Sequence, residues 1–134
     1  MNGDFVGTGA IVTGGASGIG AACARMVAER GGAVIVLDRD GDGAAAVAQA
    51  CGGRGAALDV ADAEAVHALI GRLDATPDIL INCAGIRECA DPLEIDAAHW
   101  QRMLDINLSG SLNIIQAVAR LWRAGLTRAG RQRL

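Results

Sequence analysis

Three observations predict an α/β fold built on a parallel sheet. Short apolar runs rich in β-branched residues alternate with longer helix-forming stretches. Glycines in the pattern G-x-x-x-G-x-G lie between the first such run and the first helical stretch. Glycine or a polar residue marks the carboxyl end of each predicted strand, at Gly14, Asp38, Asp59 and Asn82. At 134 residues and 51% hydrophobic composition, the chain is one domain with enough apolar content for a core.

The elements follow in order. Ala10-Ile11-Val12 predicts a buried strand near 9–13. Gly14, Gly18 and Gly20 come next, and Ala21, Ala22, Ala24, Met26, Val27 and Ala28 then favour a helix near 18–31. Val34-Ile35-Val36-Leu37 predicts a second strand near 34–38, followed by a helix near 42–51. A third strand near 55–59 precedes a helix near 62–74. Ile79-Leu80-Ile81 lies in a fourth strand near 78–82, and one long helix is expected near 96–124. This alternation implies right-handed β-α-β crossovers and the strand order 3-2-1-4. That order is one half of a Rossmann-type doubly wound sheet, with the second half missing.

The glycine loop carries the first chemical expectation. Glycine turns tightly and lets backbone approach a pyrophosphate without a Cβ in the way. The helix beyond offers free N–H groups and about half a unit of positive charge. Ser17 adds a hydroxyl donor. Asp38 falls about twenty residues past the glycines, where a carboxylate accepts both ribose hydroxyls and repels a 2′-phosphate. NAD is therefore expected in preference to NADP, although Arg39 is placed to pair with such a phosphate.

With these residues in view, the chain resembles the short-chain dehydrogenase/reductase family from about Gly9 to about Arg123. Thr13-Gly14-Gly15-Ala16-Ser17-Gly18-Ile19-Gly20 is similar to that family's T-G-x-x-x-G-I-G fingerprint. Asp59-Val60 matches the aspartate that bonds the adenine amino group at the end of the third strand. Asn82-Cys83-Ala84-Gly85 resembles N-N-A-G, with cysteine replacing the second asparagine, and Asn107 matches the asparagine of the catalytic tetrad. The resemblance implies that Gly14, Ser17, Gly18, Ile19 and Gly20 surround the phosphates and that Val60 borders the adenine. It also implies that Asn82, Ala84 and Gly85 lie beside the nicotinamide ribose, and that the reaction is hydride transfer between an alcohol and a carbonyl.

The chain departs from that pattern in one decisive respect. The family's serine and Tyr-x-x-x-Lys pair have no counterpart, because the sequence contains neither tyrosine nor lysine. Tyrosine, with an ordinary pKa near ~10, needs the lysine charge to exchange protons near neutral pH. Arginine stays protonated and cannot substitute. His67 and His99 are not expected near the nicotinamide. Cys83 and Cys89 lie closer to it, and a cysteine there is expected to be a small apolar residue rather than a nucleophile. The chain is therefore expected to be inactive alone. A non-catalytic dinucleotide-binding or assembly module is an alternative, and so is a product with no selected function.

The remaining sequence bounds the partners. A net charge of -3 gives no basic stripe for nucleic acid. No apolar stretch approaches a membrane span, no signal pattern opens the chain, and a cytoplasmic location is expected. Four cysteines without a C-x-x-C argue against a disulfide framework and a zinc ribbon, so no metal is expected. Residues 1–124 are read as the cofactor half-domain and 125–134 as a basic irregular tail, which truncation or a frameshift explains better than a selected docking segment. The long helix carries Trp100, Met103, Leu104, Leu108, Leu112, Ile115 and Trp122 as an apolar stripe that needs cover. With the apolar edge at Ile79-Leu80-Ile81, it predicts homo-oligomers or aggregation. The substrate is not legible, since only Ile86, Arg87 and Glu88 remain as a fragment of that pocket.

Overall fold

The computed structural model describes residues 3–126. Four strands alternate with helices: β1 (Gly9–Thr13), α1 (Gly18–Glu29), β2 (Ala33–Asp38), α2 (Gly41–Ala50), β3 (Arg54–Ala57), α3 (Ala63–Gly71) and β4 (Ile79–Asn82). Helix α4 (Ala97–Leu104), a π-helical turn (Asp105–Ser109) and α5 (Gly110–Leu126) follow without interruption. All strand pairs are parallel and the order is β3-β2-β1-β4. This is the predicted 3-2-1-4 arrangement.

Side-chain alternation divides the central strands between two apolar layers. Ala10, Val12, Val34 and Val36 face α1 and α2, packing against Ala24, Val27, Ala44 and Val47. Ile11, Ile35 and Leu37 face the opposite way, against Val66 and Ile70 of α3 and Ile114, Ala117 and Val118 of α5. Because β1 and β2 are covered on both faces, their sequences read as continuous apolar runs. Strand β4 is half-buried at the sheet edge, and Asp78 tethers its start by accepting from the Gly9 N–H at 3.0 Å.

Two expectations change. The long helix is not α-helical throughout, because residues 105–109 form a π turn. Asn107 turns its amide onto the backbone of Ile86, and Ser111 Oγ donates back to the Asn107 carbonyl at 2.8 Å. Such side-chain bonds compete with regular helical pairing and bend the helix. The apolar stripe expected to need cover has little within the chain. Trp100 and Leu108 are 59% and 66% exposed, while α5 buries the Ile114, Ala117 and Val118 face instead. Both faces of α5 are apolar, so periodicity alone does not say which one the sheet takes. Helix α5 also runs through Leu126, two residues beyond its expected end, and residues 127–134 of the expected tail lie outside the described residues.

Candidate functional site

The carboxyl ends of the strands meet at a cavity of about 350 Å3. Backbone conformation shapes its glycine wall. Gly14 has φ +63° and Gly18 φ +52°, in the left-handed region that side chains rarely adopt. A Cβ on Gly20 would stand 2.1 Å from the Gly14 carbonyl oxygen, and one on Gly14 would stand 2.7 Å from backbone atoms of Cys83 and Ala84. The loop, the start of α1 and the turn after β4 are therefore packed backbone against backbone.

Helix α1 begins unlike its neighbours. Asp40, Asp62 and Asp96 cap α2, α3 and α4 by accepting from backbone N–H groups. At α1 the N-cap is Ser17, whose side chain makes no capping bond, and no acidic residue occupies the first turn. Ser17, Gly18, Ile19 and Gly20 line the cavity, and the first-turn N–H groups of such a helix start have no intrahelical partner.

Asp38 closes this end of the site. One carboxylate oxygen accepts from the Ala16 N–H and the other from the Asp40 N–H, both at 3.0 Å. The aspartate thus holds the glycine loop as well as lining the cavity, and Arg39 lines it beside Asp38. Asp59 and Val60 form the neighbouring wall together with Leu58. Asp59 does not close β3, which ends at Ala57; it begins the next turn by accepting from the Ala61 N–H. Leu58 still donates its N–H to the Asp38 carbonyl, so the expected position in the sheet is kept over the two residues past the strand.

The far wall contains Cys83, Ala84, Gly85, Ile86 and Ile106. Beneath it runs a polar chain anchored on Thr13, which is fully buried. Thr13 Oγ1 donates to Asn82 Oδ1 at 2.7 Å and accepts from the Ala84 N–H at 3.2 Å. Asn82 Nδ2 donates to Ser111 Oγ, which donates to the Asn107 carbonyl. Asn107 then pairs with Ile86 in both directions, Oδ1 accepting from its N–H at 2.8 Å and Nδ2 donating to its carbonyl at 2.9 Å. A Cβ on Gly85 would lie 2.8 Å from Asn107 Oδ1, so glycine is needed for this approach.

Ten of the twelve residues singled out from sequence therefore line one cavity. Asn82 and Asn107 do not; they hold its far wall from behind. Four contributors had no assigned role in the sequence: Thr13, Leu58, Ser111 and Ile106. Thr13 stands in the fingerprint itself, and its position in a buried strand signals a satisfied hydroxyl. Ser111 is four residues beyond Asn107, a back-bonding spacing. No comparable signal marks Ile106, because the π turn that presents it is not readable. His67 and His99 are remote from the cavity lining: His67 contacts Arg120, and His99 meets Glu88 at 3.3 Å beside Arg102.

A family model described as short chain dehydrogenase matches residues 8–131. The chain belongs to the short-chain dehydrogenase family. Among curated members of that family, it is 43% identical over 129 residues to D-threitol dehydrogenase of Mycolicibacterium smegmatis, covering 87% of this chain and 48% of that one. It is 46% identical over 110 residues to cis-4-hydroxycyclohexanecarboxylate dehydrogenase of Sinomonas cyclohexanicum, covering 75% and 44%. It is also 42% identical over 117 residues to 2-dehydro-3-deoxy-L-rhamnonate dehydrogenase (NAD(+)) of Sphingomonas sp., covering 81% and 45%. The chain thus spans about half the length of the curated relatives it matches. A solved short chain dehydrogenase/reductase family protein superposes with a TM-score of 0.83 at 33% identity, over 92% of this chain and 52% of that one. A structure solved as ribose-5-phosphate isomerase from Brucella melitensis 16M does so with a TM-score of 0.84 at 36% identity, over 90% and 49%. Different activities named on one framework leave the substrate to be argued from the site.

Among the described residues no helix is long and apolar enough to cross a membrane, and no cluster of ligating side chains could hold a metal ion.

Proposed function

We propose that these 134 residues form the dinucleotide-binding half of a short-chain dehydrogenase site and bind NAD in preference to NADP. The observation that carries this reading is the uncapped start of α1 facing the same cavity as Asp38. The two features suit the two charged or polar parts of one ligand. The first-turn N–H groups, with Ser17, hold the pyrophosphate. Asp38 still has lone pairs for the adenosine ribose hydroxyls after accepting one N–H on each oxygen, and its charge opposes a 2′-phosphate. Asp59 and Val60 border the adenine. Ala84 and Gly85 flank the nicotinamide ribose, held in place by Asn82 and Asn107 from behind.

Bound NAD supplies a hydride acceptor. What the chain itself contributes is binding and placement. It has no tyrosine or lysine to move the alcohol proton, neither histidine lines the cavity, and Asn107 is committed to the backbone of Ile86. Proton transfer therefore depends on groups supplied from outside these residues. The substrate is an alcohol or carbonyl compound, engaged only when those groups are present. The activities for which the relatives are named, a polyol, a cyclic hydroxy acid and a sugar-acid dehydrogenase, support this class without selecting a member.

Calorimetric titration with NADH and NADPH, followed by a turnover assay on an alcohol and ketone panel, tests the reading. Saturable NADH binding, weaker NADPH binding and no turnover are expected. Tighter binding of NADPH would overturn the cofactor assignment, and turnover by the purified chain would overturn the dependence on external groups.

A further inference from the structure

The far wall of the cavity comes from a stretch without regular structure. Residues 83–91 leave β4 as neither helix nor strand, and Cys83, Ala84, Gly85 and Ile86 from this stretch line the cavity. Apolar packing does little to hold it, because no residue of 83–91 is buried and α4, which follows, buries none of its own. Polar contacts hold it instead, at two points. Asn107 takes the Ile86 backbone in both directions. Two residues on, the Glu88 carboxylate meets α4: Oε2 accepts from Arg102 Nη2 and lies 3.3 Å from His99 Nε2. His99 and Arg102 are three residues apart, so one face of the helix presents both. Asp96 fixes the start of that helix, accepting from the His99 N–H at 2.7 Å. With its side chain 33% exposed, Glu88 is partly shielded from the solvent that weakens open surface pairs.

We propose that Glu88 is a positioning residue for the nicotinamide end of the site: held by Arg102 and His99, it braces residues 83–91 against α4 and keeps Ala84, Gly85 and Ile86 in the cavity wall. Glu88 does not line the cavity itself and acts through the backbone it fixes. A segment tethered only at Ile86 can swing about that point, whereas a second tether two residues away sets its direction. A wall already in place costs a ligand less to order than a loose one, and that saving appears as affinity. The effect is confined to one end of the cavity, since the glycine loop and Asp38 are held by separate contacts. The assignment of that end to nicotinamide rests on the cofactor reading above; the brace does not.

Amide hydrogen exchange on the free chain reads the brace without any ligand. Glu88→Ala and Arg102→Ala should each quicken exchange at residues 84–88 by about three- to tenfold while the melting temperature stays close to wild type. Arg102→Lys, which keeps a cation there, should restore most of the protection. The double variant should exchange no faster than Glu88→Ala alone, because both substitutions remove one arrangement. Unchanged exchange at 84–88 in Glu88→Ala, or additive effects in the double variant, would overturn the brace. Calorimetry then compares NADH with ADP, which has neither the distal ribose nor the nicotinamide. Glu88→Ala should weaken NADH about threefold or more and leave ADP within about twofold. Quickened exchange with NADH affinity unchanged, or with NADH and ADP weakened alike, would overturn the positioning role. Failure of the wild-type chain to bind either ligand would overturn the cofactor reading and the positioning role with it, while the exchange result still decides the brace.

Discussion

The two flanks of the sheet are finished to different degrees. On the glycine-loop side, α1 and α2 cover β1 and β2, helix ends are either capped by aspartate or border the cavity, and Asp38 ties the loop to the start of α2 by accepting from the Ala16 and Asp40 N–H groups. On the other flank, β4 is half-buried at the sheet edge, and α4, the π turn and α5 turn Trp100, Leu108, Leu112 and Ile115 outward. Trp122 is tied down, donating its Nε1–H to the Pro77 carbonyl at 2.6 Å. The contrast separates binding from catalysis. The glycine wall of the cavity lies in the finished region, whereas tyrosine and lysine do not occur in these 134 residues. The unfinished flank is the one beside the cavity's far wall.

Breaking the finished side should have the largest effect. Gly20→Val places side-chain atoms against the Gly14 carbonyl, and backbone cannot yield as a flexible side chain can. A loss on the order of 3 kcal/mol is expected, read from chemical denaturation. An equally stable variant would mean the loop tolerates rearrangement. Thr13→Val should rank second. It removes a fully buried hydroxyl and strands the Asn82 amide oxygen and the Ala84 N–H, at a cost of about 1–3 kcal/mol. Thermal melting checks this, and a variant as stable as wild type would remove Thr13 as the anchor of the polar chain.

Asn107→Ala should cost about 1 kcal/mol, since the bonds it makes to Ile86 are partly solvent-exposed. Its local signature is faster hydrogen exchange at the Ile86 amide; unchanged exchange there would contradict the pairing. The smallest stability change belongs to the unfinished flank. Leu112→Glu should stay within about 0.5 kcal/mol of wild type, because Leu112 is exposed. The same variant should lower self-association in light scattering, and equal association by wild type and variant would remove this stripe as the contact surface.

Much of this architecture was legible in the sequence because strand patterning and the glycine loop are local signals. The doubly covered strands Ala10-Ile11-Val12 and Val34-Ile35-Val36-Leu37 read as apolar runs, and both lie where expected. The site residues share one cavity because parallel topology brings strand ends together. What escaped depends on long-range contacts. The π turn exists where Asn107 meets Ile86, 21 residues away, and no helical pattern encodes that meeting. The orientation of α5 depends on packing against α3, which chose Ile114 over Ile115. The double duty of Asp38, cavity wall and loop clamp, is visible only once Ala16 is beside it.

That double duty means an Asp38 substitution perturbs the loop as well as any ligand contact, so a ligand series isolates the central claim better. ADP-ribose carries the adenosine, the pyrophosphate and the distal ribose, but no nicotinamide. Calorimetric titration of the folded chain with ADP-ribose should give a Kd within a few-fold of that for NAD, because the adenosine side of the site is built within these residues. Absence of binding by both ligands, in a chain shown to be folded by its melting transition, would contradict the account.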